Sequence, residues 1–111
     1  MKQSEISFII DLDEENVPEQ IIWKATDNPQ EGPSTTKSIS ISLWDEQQKN
    51  TLRIDLWTKD MPVDDMKRFY IDSIGGLAQS LLNATGDEFM AGEMNKLCDT
   101  LVQHMKNSRE S

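Results

Sequence analysis

The chain has little of what catalysis and redox chemistry need. One cysteine, Cys98, excludes an internal disulfide and fits a reducing compartment. One histidine, His104, excludes a histidine-cluster metal site and leaves a single imidazole as a candidate base. The N-terminal MKQSEISFIIDLDEEN has no apolar run longer than Phe8–Ile9–Ile10, too short for a signal-peptide core or a membrane span. The expectation is a cytoplasmic chain without membrane insertion. Bases are few: 11 Lys and Arg stand against 20 Asp and Glu, a formal charge of −9 over 111 residues. No basic cluster exists to neutralise phosphates, so nucleic acid is not an expected partner. The same charge disfavours an anionic membrane surface and favours solubility, or a partner with a basic patch.

What the chain does have is patterning. A length of 111 residues is that of one domain, 1–111, able to bury roughly two-thirds of its unfolded surface. Four segments alternate with period two: Ile6–Leu12, Ile21–Ala25, Ile39–Leu43 against serines, and Leu52–Trp57. Short polar connections join them, Asp13–Asn16 with Pro18, Asp27–Pro33 and Asp45–Asn50. These lengths suit hairpins and predict a four-stranded antiparallel meander over about 4–58. The loop with two prolines and a glycine, Asp27–Pro33, is the expected mobile segment.

After Asp60 the period becomes helical. Met66, Phe69, Tyr70, Ile74, Leu77 and Leu81 recur on one face, predicting a helix over about 62–84. Pro62 suits its first turn, and Asp64 and Asp65 its positive end. Gly86 is the expected stop and Asp87 the cap of a second helix over about 88–107. That helix carries Met90, Met94, Leu97, Cys98, Leu101, Val102 and Met105 as its apolar stripe. The predicted class is therefore α+β, in the order β-β-β-β-α-α, with the helices packed on the sheet.

No catalytic constellation emerges. Cys98 and His104 lie six residues apart, roughly 120° around one helix. The acidic Asp11–Glu15 run lacks the glycine of a calcium loop, Asn16 standing in its place. Helix-start electrostatics already account for Asp64 and Asp65 beside Asp60. Gly75–Gly76 falls inside a helix, not after a strand, so it is no phosphate cradle. Two mid-helix glycines cost about 1 kcal/mol each against alanine. Close approach of the second helix or of a neighbouring subunit explains them, as does a kink. The expectation is no enzyme, no catalytic residue, no metal ligand and no cofactor.

The tryptophans are more informative. Trp44 shares the parity of the serines in its strand. Trp57 shares that of Arg53 and Asp55, opposite Leu52, Ile54 and Leu56. Both indoles thus leave the expected core face. They either cover the rim of the sheet or form, with Arg53 and Asp55, a patch for a protein partner. The methionines fill a core or make an adaptable surface.

The stretch SLWDEQQKNTLRIDLWTKDMPVDDMKRF, residues 42–69, resembles the signature of the gliding-motility-associated GldC family. SEISFIIDLDEENVPEQIIWKATD, residues 4–27, resembles that family's opening, and LLNATGDEFMAGEM, residues 81–94, its inter-helix junction. The resemblance implies a non-enzymatic accessory or adaptor protein of gliding bacteria, acting on machinery components through protein contacts. A homodimer is compatible with that role, with Gly75 and Gly76 as its contact. The element order, acidity and methionines also resemble SecB-type export chaperones, which implies the alternative of a holdase for exported clients.

Overall fold

The computed structural model describes residues 2–27 and 32–110. The proline-bearing loop expected to be mobile falls largely at 28–31, outside the described residues. The chain forms two compact units, Met1–Met61 and Pro62–Ser111.

Among the described residues the first unit holds five strands: β1 (Ile6–Leu12), β2 (Pro18–Ala25), β3 (Ser34–Thr36), β4 (Ser38–Asp45) and β5 (Asn50–Trp57). They do not make the expected single four-stranded meander. β1-β2-β3 form one antiparallel sheet, and β4-β5 form a second, two-stranded one. The unexpected strand is β3. Its three residues, Ser34, Thr35 and Thr36, have no apolar alternation and become a strand by pairing with Trp23, Ile22 and Ile21 of β2. Lys37 separates β3 from β4, and the pairing changes partner there from β2 to β5. Two backbone bonds tie this corner: Thr58 N–H donates to the Lys37 carbonyl (2.8 Å) and Lys59 N–H to that of Pro18 (3.0 Å). Ile21, at the centre of the β1-β2-β3 sheet, is fully buried.

The turns follow from local chemistry. Between β1 and β2, Asp13 Oδ1 accepts the N–H groups of Glu15 and Val17, and Asn16 takes a left-handed φ of 66°. Asparagine tolerates that region. Between β4 and β5, Asp45 accepts Lys49 N–H at its carbonyl and Gln48 N–H at Oδ2, and Lys49 sits at φ 57°. Lysine has no local compensation for that conformation, which costs L-residues about 1–2 kcal/mol. Glycine adopts it freely but loses roughly 0.5–1 kcal/mol more chain entropy on folding. Lys49→Gly is therefore expected to raise the urea midpoint by a net gain of about 0.5 kcal/mol; a lowered midpoint would contradict the turn geometry.

The second unit is a helical hairpin, α1 (Val63–Thr85) and α2 (Glu88–Glu110). Pro62, extended at ψ 142°, offers its carbonyl to Met66 N–H. Asp64 and Asp65 occupy the first turn. Gly86 ends α1 in the left-handed region (φ 72°), its N–H on the Leu82 carbonyl, and Asp87 Oδ1 caps α2 by accepting Met90 N–H at 3.0 Å. The facing residues are buried or half-buried: Ile71, Gly75, Ala78 and Leu82 on α1, and Ala91, Met94, Cys98, Leu101 and Met105 on α2. Their alternating four–three spacing is that of a knobs-into-holes seam. Tyr70 and Leu77, expected on the packed face of α1, are exposed, as is Leu97 on α2. Small Ala78 and Ala91, not the larger side chains, mark the seam.

Candidate interaction surface

The β4-β5 register decides which side chains share a face. Ser38 lies opposite Trp57, Ser40 opposite Asp55, Ser42 opposite Arg53 and Trp44 opposite Thr51. Alternation puts these eight on one side. On the other, Ile39 faces Leu56, Ile41 faces Ile54 and Leu43 faces Leu52. The parity read from the sequence thus holds across the hairpin. On that aliphatic side Leu43, Leu52 and Ile54 are 53, 50 and 47 % exposed.

The centre of the polar face is built around Arg53. Its Nη1 donates to Ser42 Oγ and its Nη2 to Ser40 Oγ, both at 2.6 Å. Its Nη2 and Nε also reach Asp55 Oδ1 (2.9 Å) and Oδ2 (3.2 Å), and Ser40 donates to Oδ1 at 2.6 Å. The guanidinium, followed by Ser40, holds the Asp55 carboxyl below its ordinary range. A planar fork fixed by four acceptor contacts has already lost its rotamer freedom, so a partner meets an ordered cation. Trp44 and Trp57 flank this centre, one at each end of the hairpin, 65 and 50 % exposed.

A second cluster organises the corner after β5. Lys59 Nζ bridges Asp13 Oδ2 and Glu19 Oε1, each at 3.0 Å. Lys37 meets Asp60 at 3.0 Å, and the buried Thr58 donates to Asp60 Oδ1. Sequence reasoning missed both lysines, because their partners lie 46, 40 and 23 residues away. Asp13 is held below its ordinary range first by Val17 N–H and then by Lys59, and Asp60 first by Thr58 and then by Lys37. Lys59 is raised, chiefly by Glu19.

These carboxyls stabilise the fold above their unfolded value, and that contribution fades as pH falls through their lowered folded values. Stability is expected to drop as pH falls below 3.8, the ordinary value for Asp13, Asp55 and Asp60. In the triple variant D13N/D55N/D60N, melting temperature should depend less on pH in that window. An unchanged acid slope would contradict the assignment.

The remaining candidates fall elsewhere. Gly75 faces α2, where an added Cβ would lie 4.0 Å from Cys98 Sγ, an ordinary contact. Gly76 borders open space. Cys98 turns its thiol to the Ile71 carbonyl at 3.6 Å, while His104 is exposed. Asp13, Glu14 and Glu15 lie along an open rim, and Asp13 is engaged by Lys59 and two backbone N–H groups. Among the described residues no group of three or more His, Cys, Asp or Glu is arranged to hold a metal ion. No described helix is long and apolar enough to cross a membrane.

A family model described as "Gliding motility-associated protein GldC-like" matches residues 18–107. The match spans β2 through nearly all of α2, including Trp44, Trp57 and the Arg53–Asp55 pair. Neither a curated protein nor a solved structure matches the chain.

Proposed function

Since the chain belongs to the GldC-like family of gliding motility-associated proteins, we propose that it is a non-enzymatic accessory protein of the gliding machinery. It works by protein contact, through the polar face of the β4-β5 hairpin. The observation that carries this reading is the pair of exposed indoles flanking a pre-ordered Arg53–Asp55 centre. Tryptophan and arginine are among the side chains that most often dominate binding energy at protein interfaces, and this arginine is held by its neighbours before a partner arrives. The opposite, aliphatic side also shows exposed leucines, so the hairpin presents contact surface on both faces. The partner is then a machinery component with an apolar surface and an acceptor for the Arg53 cation.

Photo-reactive residues at positions 44 and 57, irradiated in gliding cells, should link the chain to the same machinery component. The exposed helix position Asn95 should not. Equal yields at all three positions would contradict a contact centred on the hairpin. Suppression of client aggregation by the purified chain at equimolar ratio would instead favour a holdase.

A further inference from the structure

The outer edge of β4 carries no blocking residue along Ser40–Trp44, while Ser38 at its end is buried. Ser38–Trp44 reads SISISLW, seven residues without charge or proline. Its pairing with β5 runs unbroken from Ser38–Trp57 to Asp45–Asn50, without a bulge. β5 is its one strand neighbour among the described residues. Folded proteins block such edges with lysine, proline or bulges, or else pair them. The other side of this hairpin is blocked: β5 carries Arg53 and Asp55, and Val17 and Pro18 face Leu56 and Trp57 across a cleft of about 250 Å³.

The backbone phase of the free edge follows from one bond. Thr58 N–H donates to the Lys37 carbonyl. In an antiparallel ladder, bonded and non-bonded pairs alternate. Residues 39, 41, 43 and 45 therefore aim their backbone groups at β5, and Ser38, Ser40, Ser42 and Trp44 aim theirs outward. The Ser38 carbonyl accordingly accepts the Thr36 hydroxyl at 3.1 Å.

We propose that this edge pairs antiparallel with β4 of a second copy, about a two-fold axis at Ile41. In that register Ser40 bonds Ser42 of the second copy, and Ile39 lies opposite its Leu43. Lys37 lies opposite its Asp45, and the symmetry repeats each pair. Charge selects the register. Sliding by two residues in either direction puts Lys37 opposite Leu43 or Asp45 opposite Ile39, and sliding by one swaps the faces. A second copy offers this complement, because Lys37, whose pair with Asp60 is solvent-exposed, and Asp45 stand at opposite ends of the β4 segment. Two marginal two-stranded sheets become one of four strands. The aliphatic ladder becomes continuous across it. Each Trp44 lies opposite a small Ser38, beside Trp57 of the other copy. Both Arg53–Asp55 centres share one side. The pairing is independent of what the tryptophan face binds.

Sedimentation equilibrium and disulfide trapping test the proposal. The wild-type chain should sediment at twice 12.7 kDa. Ser40→Pro removes an outward N–H, which an edge strand tolerates, and should sediment as the monomer, whereas Ser40→Ala, which loses the same hydroxyl bonds to Arg53 and Asp55 but keeps the N–H, should remain a dimer. Asp45→Lys should weaken the dimer at least about tenfold by setting like charges together, and adding Lys37→Asp with Asp60→Asn, which avoids a new carboxylate pair at 37 and 60, should restore it. Ile41→Cys in a Cys98→Ser background needs no change of edge. Its two thiols meet at a non-bonded pair, with Cα atoms about 4.5 Å apart and within disulfide reach, so oxidation should convert most of the protein to a covalent dimer. A wild-type monomer at every concentration would overturn the proposal. So would a dimer in which the Ile41→Cys thiols form no disulfide.

Discussion

Ile21→Ala should cost about 2–5 kcal/mol of unfolding free energy, the range for removing a buried branched side chain. Ile21 lies on the central strand of the β1-β2-β3 sheet, between Ile10 and Thr36, at 0 % exposure. No other large side chain among the described residues is so fully enclosed. The cost has two parts: the lost transfer energy of the removed carbons, and the void left where neighbours on both sides are held in register. A domain of this kind has about 5–15 kcal/mol in total. With a urea slope of about 1–3 kcal/mol per molar, the midpoint should fall by at least about 0.7 M. Ile9→Ala, on the neighbouring strand but largely exposed, should cost far less. Equal losses at the two positions would mean that Ile21 is not the centre of this sheet.

The second large effect concerns binding and leaves stability alone. Trp44→Ala with Trp57→Ala should weaken the contact with the component captured at the hairpin by at least about 30-fold, since a binding hot spot is worth about 2 kcal/mol or more. Trp44 is mostly and Trp57 half in solvent, so truncation opens no enclosed cavity. Melting temperature should stay within about 2 °C, as for other surface substitutions. Arg53→Ala should also weaken binding. It leaves Asp55, Ser40 and Ser42 without their shared donor, so its melting temperature should fall as well, whereas that of the tryptophan variant should not. This difference separates contact surface from internal support.

Much of this was legible in the chain because the relevant signals are local. Pro62, Gly86 and Asp87 mark the helix ends within a residue or two, since capping depends on neighbours in sequence. The parity of Trp44 and Trp57 follows from a period of two and needs no knowledge of the third dimension. What escaped depends on pairing between distant segments. Ser34–Thr36 has no strand pattern of its own and is ordered by β2. The change of partner at Lys37 splits the expected meander, and no turn residue announces it. The lysine bridges from Lys59 and Lys37 join charges far apart in a chain where acids are common. On the helices, the larger apolar residues suggested one packed face, while the seam runs along Gly75, Ala78 and Ala91. Small residues there let the backbones approach and leave Leu77 and Tyr70 outside.

The most direct measurement is surface spreading of gliding cells whose only copy of the chain carries Trp44→Ala and Trp57→Ala, with cellular level and melting temperature checked against wild type. Loss of spreading at normal abundance and stability is the predicted result. Spreading indistinguishable from wild type, with both indoles gone, would contradict the account.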